Sequence, residues 1–160
     1  MALDDVIILR NTLDPRSESD VRDYELKIVS SLKSNVDDVV ESYNYLEDKY
    51  GERGREIQFG VIEAVGNYFQ HANDFDPEKR VYIQTWRDDT RFYFSIRGEG
   101  AGFDPNKVWL TKEERDTNAG EYKRGRGHAL MNYYADLVQY DNDGKSMMMV
   151  FELDKLRKAS

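Results

Sequence analysis

The chain has 160 residues, with 31 acidic against 23 basic side chains and a net charge of −8. That length suits one domain around a single core, and the negative field opposes a phosphate backbone, so nucleic acid is not an expected partner. Cysteine is absent and only two histidines occur, which excludes disulfide and thiolate chemistry and makes a zinc site improbable. No apolar run reaches the roughly 18 residues of a membrane helix, and the start MALDDVIILRNTLD has no secretion signal. A soluble cytoplasmic protein with no membrane partner is expected.

In chain order, DDVIILRN (Asp4 to Asn11) reads as a first strand. Asp14 followed by Pro15 resembles a helix start, and Val21, Tyr24, Ile28 and Leu32 continue at helical spacing. Val36, Val39, Val40, Tyr43 and Leu46 share one face of a second amphipathic stretch, with Asn35 as its cap. Tyr50 to Glu56, YGERGRE, reads as a loop or frayed end, and a third helix follows from about Glu56 to His71. RVYIQTW and RFYFSIR alternate as strands and pair around Asp88-Asp89 as a hairpin. A polar segment, Asn106 to Arg124, precedes a helix beginning near Gly127. LVQYDND and SMMMVFEL then close the chain as a second hairpin turning at Asp143-Gly144. This order predicts an α+β, two-layer sandwich, with a mixed, mostly antiparallel sheet and helices on one face.

On the third helix, Ile57, Val61, Ala64, Val65 and Tyr68 form the face expected to pack on the sheet. Glu56, Gly60, Glu63, Asn67 and His71 form an adjacent stripe, which puts Glu63 and Asn67 one turn apart and pointing the same way. A carboxylate beside a carboxamide can activate a hydroxyl and hold Mg²⁺ through oxygen; the same stripe also reads as an ordinary solvated face. Gly60 and Gly66, costly inside a helix, suggest a close neighbour.

Two glycine clusters follow. SIRGEGAGFDP packs Gly98, Gly100 and Gly102 into the exit of a strand, where a backbone must approach something closely. KRGRGHALM opens the last helix with Gly125 and Gly127 beside Lys123, Arg124 and Arg126. Free N–H groups at a helix start favour anions such as phosphate. No Walker-type loop is present, and neither cluster lies in a βαβ unit, so P-loop and Rossmann readings are excluded.

Taken together and in order, EAVGNYFQHAN, IRGEGAGFDP and RGRGHALM resemble the N box and the two glycine boxes of the histidine-kinase-like ATPases (the GHKL superfamily, Bergerat fold). Within that superfamily the chain is most similar to the anti-sigma-factor serine/threonine kinases. The resemblance spans Ile57 to Leu153. It implies a single ATPase domain over 1–160, with strand and helices in 1–55 and the nucleotide motifs in 56–153. It further implies Glu63 as general base, Asn67 as ligand of an ATP-bound Mg²⁺, and Gly98, Gly100 and Gly102 at the adenine and ribose. Lys123, Gly125 and Gly127 would cradle phosphates. The implied activity is transfer of the ATP γ-phosphate to a serine or threonine of an antagonist protein, coupled to sequestration of a sigma factor. Dimerisation through the sheet face is implied as well. A detached sensor histidine kinase domain fits less well, because His71 and His128 fall inside the nucleotide motifs rather than on a dimerisation helix pair.

Gly98 departs from the pattern. An aspartate normally stands there and accepts the adenine amino group, and glycine supplies no acceptor. The alternative reading is therefore a module of the same fold, impaired in nucleotide use, that acts through protein binding alone.

Overall fold

The computed structural model describes residues 6–10, 21–102, 131–141 and 144–154. The strands are β1 (Val6–Arg10), β2 (Arg22–Ser30), β3 (Arg80–Arg87), β4 (Arg91–Gly98), β5 (Leu137–Asp141) and β6 (Ser146–Glu152). They form one sheet in the order β1-β2-β3-β4-β6-β5. Among the described residues all five pairings are antiparallel, in keeping with the expected mostly antiparallel sheet. The helices are α1 (Asn35–Glu41), α2 (Tyr45–Tyr50) and α3 (Glu52–Asn67), and α3 runs directly into a π turn over Tyr68–Ala72.

The two hairpins form where alternation predicted them. In β3 and β4, Val81, Ile83, Phe94 and Ile96 are fully buried and join Met147, Met149 and Phe151 of β6 in the core. The apolar face of α3 meets that surface with Ile57, Val61, Ala64 and Val65, each at 0% exposure. Burying a side chain of this size contributes about 1.5–3 kcal/mol, so this layer of α3 on β4 and β6 carries much of the stability. Gly60 allows the close approach. A methyl group there would stand 3.1 Å from Phe151 Cζ and 3.3 Å from Met149 Sδ. Gly66 has open space where its side chain would be, so packing does not explain it.

Three expectations are corrected. The segment with Val21, Tyr24 and Ile28 at helical spacing is strand β2, paired along its length with β3. Tyr24, Leu26 and Ile28 also recur at period two. That signal is interrupted by a register shift between Arg22 and Glu25, where Asp23 takes φ +57°. The intervening polar residues face the helices without charge imbalance: Lys27, 3% exposed, pairs with Glu25 and lies 3.9 Å over the Tyr43 ring. The second amphipathic stretch is two short helices, and Ser34 rather than Asn35 occupies the cap position. The Asn35 side chain is buried instead and donates from Nδ2 to the Ser30 carbonyl at 3.0 Å.

Finally, the supposed loop YGERGRE contains the end of α2 and the first turn of α3. Arg53 is buried there because four of its five N–H groups are engaged. It donates to Glu56 Oε1 at 2.9 Å, to Asp136 Oδ2 at 2.6 Å, and to the carbonyls of Tyr134 and Glu152 at 2.9 and 2.7 Å. Gly54 lies against the Leu46 carbonyl, leaving no room for a side chain where α3 crosses α2.

Candidate functional site

The site is assembled from the last turns of α3 and the exit of β4. Helical spacing does place Glu63 one turn before Asn67 on α3, and both side chains are partly buried. Asn67 is the last α-helical residue before the π turn, a local widening often found at functional positions. Its Nδ2 is buried and has no hydrogen-bond partner. A buried amide left unpaired costs about 1–3 kcal/mol, so the group is poised for something that arrives. Turning the amide over presents Oδ1 at the same position, an acceptor suited to a cation.

Mg²⁺ takes one or two protein oxygens and completes its octahedron with water and phosphate oxygens. One Asn67 oxygen meets that demand. Among the described residues no group of three His, Cys, Asp or Glu side chains could hold a metal ion unaided. The donor set therefore fits a cation that comes with phosphates attached.

The exit of β4 is constructed differently. Its glycines permit a close approach, and the neighbour is the end of the chain's own helix. The Asn73 side chain is inserted here, 1% exposed. It donates from Nδ2 to Ser31 Oγ at 2.7 Å and to the Arg80 carbonyl at 3.0 Å, and its Oδ1 accepts from the Gly100 N–H at 2.7 Å. Gly100 also abuts the Ala72 carbonyl, where a side chain would collide with backbone. Gly98 donates its N–H to the Lys145 carbonyl at 2.9 Å, and Glu99 donates to the Arg80 carbonyl at 3.1 Å. The Glu99 carboxylate accepts from the Arg80 N–H at 2.6 Å and from the Tyr82 hydroxyl at 2.9 Å. That hydrogen bond, followed by burial, holds the Tyr82 phenol above its ordinary value of 10.0. Gly102 then turns the chain with φ +79°, a conformation glycine adopts without strain.

Reaching Asn73 requires unusual backbone. The π turn closes with the Asn73 N–H on the Tyr68 carbonyl at 3.1 Å. Asp74 and Phe75 then take φ +55° and +53° in succession. Two adjacent non-glycine residues in this region cost on the order of 1–3 kcal/mol each, and the carboxamide's three hydrogen bonds help hold them there.

The structure thus brings Glu63 and Asn67 together on α3 and puts Gly98, Gly100 and Gly102 at the strand exit. Lys123, Gly125, Gly127 and the polar segment before them lie outside the described residues. Sequence reasoning missed Asn73 and the Arg53 cluster. The only signal for Asn73 was its place just after His71-Ala72, at the end of the helical pattern.

Residues 29–151 match the model of the histidine kinase-like ATPase domain. Strand β1 and most of β2 fall before that span. The chain is also similar to the anti-sigma F factor of Oceanobacillus iheyensis, with 30% identity over 104 residues, covering 62% of this chain and 70% of that protein. No helix among the described residues is long and apolar enough to cross a membrane.

Proposed function

The chain belongs to the histidine kinase-like ATPase domain family, and on that premise we propose that it is a cytoplasmic regulator of the anti-sigma-factor type. In this reading residues 1–160 form a single domain that binds ATP with Mg²⁺. It passes the γ-phosphate to a serine or threonine of an antagonist protein and sequesters a sigma factor. The similarity to an anti-sigma F factor supports the choice of partner class. The observation that carries the nucleotide half is the buried, unpaired Asn67 amide one turn beyond Glu63.

Asn67 would hold the cation through Oδ1, with Lys123, Gly125 and Gly127 at the phosphates. Mg²⁺, when bound, neutralises charge on the phosphate oxygens. The Glu63 carboxylate takes the proton from the attacking hydroxyl. As that oxygen bonds to the γ-phosphorus, the bond to the β,γ-bridging oxygen breaks and ADP leaves. Positioning and electrostatics account for most of the acceleration in such transfers.

A second reading, a nucleotide-impaired module that acts by protein binding alone, is favoured by the strand exit, where Gly98 offers no side chain and Asn73 is fully engaged. Calorimetry with Mg·ATP separates the two. Binding at micromolar to low millimolar nucleotide, abolished in Asn67→Leu, supports the kinase reading. No heat at millimolar nucleotide leaves the binding module.

A further inference from the structure

Gly66 has no reason for being glycine inside the protein. It lies within α3, where glycine weakens a helix, and a methyl group added there would meet nothing within 4 Å. Gly54 and Gly60 of the same helix each have a close neighbour. Helical spacing puts Phe59, Glu63 and Gly66 on one face, opposite the buried Val61, Ala64, Val65 and Tyr68. That outward face is apolar. Among the described residues five large apolar or aromatic side chains are exposed, and three of them gather here: Phe59 (41%), Ile62 (41%) and Tyr133 (48%). Phe59 lies 5.4 Å from the Tyr134 ring, and Tyr133 meets Tyr134 edge-on at 4.9 Å, so the patch continues from α3 across the tyrosine pair. Its charge is negative. Arg55, the basic side chain on this face, is paired with Glu47 at 2.8 Å, which leaves the sign to Glu52 and Glu63.

We propose that this face seats the phospho-acceptor segment of the antagonist protein. That segment carries a serine or threonine, an apolar side chain against Phe59 and Ile62, and basic residues toward Glu52, with its backbone drawn close over Gly66. The acceptor role rests on the phosphotransfer reading, because Glu63 stands between Phe59 and Gly66 and whatever lies along the face carries its hydroxyl past that carboxylate. The occupant's chemistry rests on exposure and charge complementarity. Aromatic side chains supply contact area with little rotational freedom to lose, and the missing side chain at position 66 supplies clearance at a cost in helix stability.

The probes are two synthetic peptides, Lys-Leu-Lys-Ser-Leu-Lys-Leu and its counterpart with glutamate for every lysine. Each is titrated without nucleotide into the isotope-labelled full chain and followed by amide NMR. The basic peptide binds with shifts centred on Phe59, Ile62 and Gly66, and the acidic one binds about tenfold more weakly. Gly66→Gln raises the melting midpoint by about 1–2 °C, because glutamine is the better helix former in open space, yet weakens the basic peptide about fivefold. Phe59→Ser keeps every charge and weakens it to a similar degree. Unchanged affinity in either variant, shifts centred elsewhere, or a lowered midpoint in Gly66→Gln would overturn the proposal. Self-association of the parent in sedimentation, lost in both variants, would put a second copy on this face and overturn it too. Mg·ATP is added last. Phosphate on the peptide serine supports the acceptor role. Binding that obeys these rules without phosphorylation refutes the phosphotransfer reading and the acceptor role while the peptide-binding face stands, and phosphorylation without them refutes the face alone.

Discussion

Asn67 and Asn73 stand on one helical run, carry the same side chain, and do opposite things. Asn67 presents a buried amide with no partner, whereas Asn73 has both amide hydrogens and its oxygen engaged. The first arrangement is costly to the folded protein and makes sense as preparation for a ligand. The second is favourable to the fold and ties the end of the helix to the strand exit. Residue type alone therefore says little about function; the state of the hydrogen-bonding inventory separates a receptor from a fastening.

The comparison can be broken at several strengths. The largest effect belongs to the reactive end. Glu63→Ala lowers phosphotransfer to the antagonist by roughly 10²–10⁴-fold, the range for loss of a general base, with Mg·ATP affinity held within about threefold in calorimetry. Retained transfer would remove Glu63 from that role. Next is Asn73→Ala, which takes their Asn73 partner from the Gly100 N–H and the Ser31 hydroxyl and one of two donors from the Arg80 carbonyl, and lowers stability by about 2–4 kcal/mol in urea denaturation. Asn67→Leu sharpens the contrast, because removing an unpaired buried amide leaves stability unchanged or raises it by about 1 kcal/mol. The same variant loses the nucleotide-dependent rise in melting temperature. A destabilisation equal to that of Asn73→Ala would erase the distinction between the two asparagines.

The smallest effect is one of pH. The Tyr82 phenol is held above 10.0 in the folded protein, by its hydrogen bond to Glu99 first and by burial second. A group whose folded value is raised contributes stability that is complete below the unfolded value and lost as pH rises through the folded one. Tyr82→Phe therefore loses that contribution at neutral pH, a small loss for so exposed a hydrogen bond, and gives a shallower alkaline decline in stability starting near pH 10.

How much of this was legible in the sequence depended on the range over which the causes act. The β3–β4 and β5–β6 hairpins were readable because alternation and turn residues are local. The Glu63–Asn67 spacing was readable because a helix has a fixed period. Strand β2 was not, because the shift at Asp23 breaks its alternation while Lys27 and Glu25 face the helices as a pair. The start of α3 was hidden because Arg53 and Glu56 look solvated until Asp136, Tyr134 and Glu152 arrive from the far end of the chain. Asn73 was hidden for the same reason, since its partners at Ser31 and Gly100 are distant in sequence. The glycines of the strand exit were read correctly as a close approach, and the neighbour observed at Gly98 and Gly100 is the helix end itself.

The π turn over Tyr68–Ala72 gives this arrangement a dependence on count. A π turn holds one more residue per hydrogen-bonded loop than an α turn, so it behaves as a single-residue insertion stored in the helix. Deleting one residue there, such as the exposed Gln70, lets the helix relax to regular winding. The helix then delivers a different residue to the strand exit, because each residue advances the winding by about 100°. The pairing of Asn73 with Gly98 is thus encoded partly in chain length. A point substitution along the turn leaves that length intact, and a one-residue indel does not.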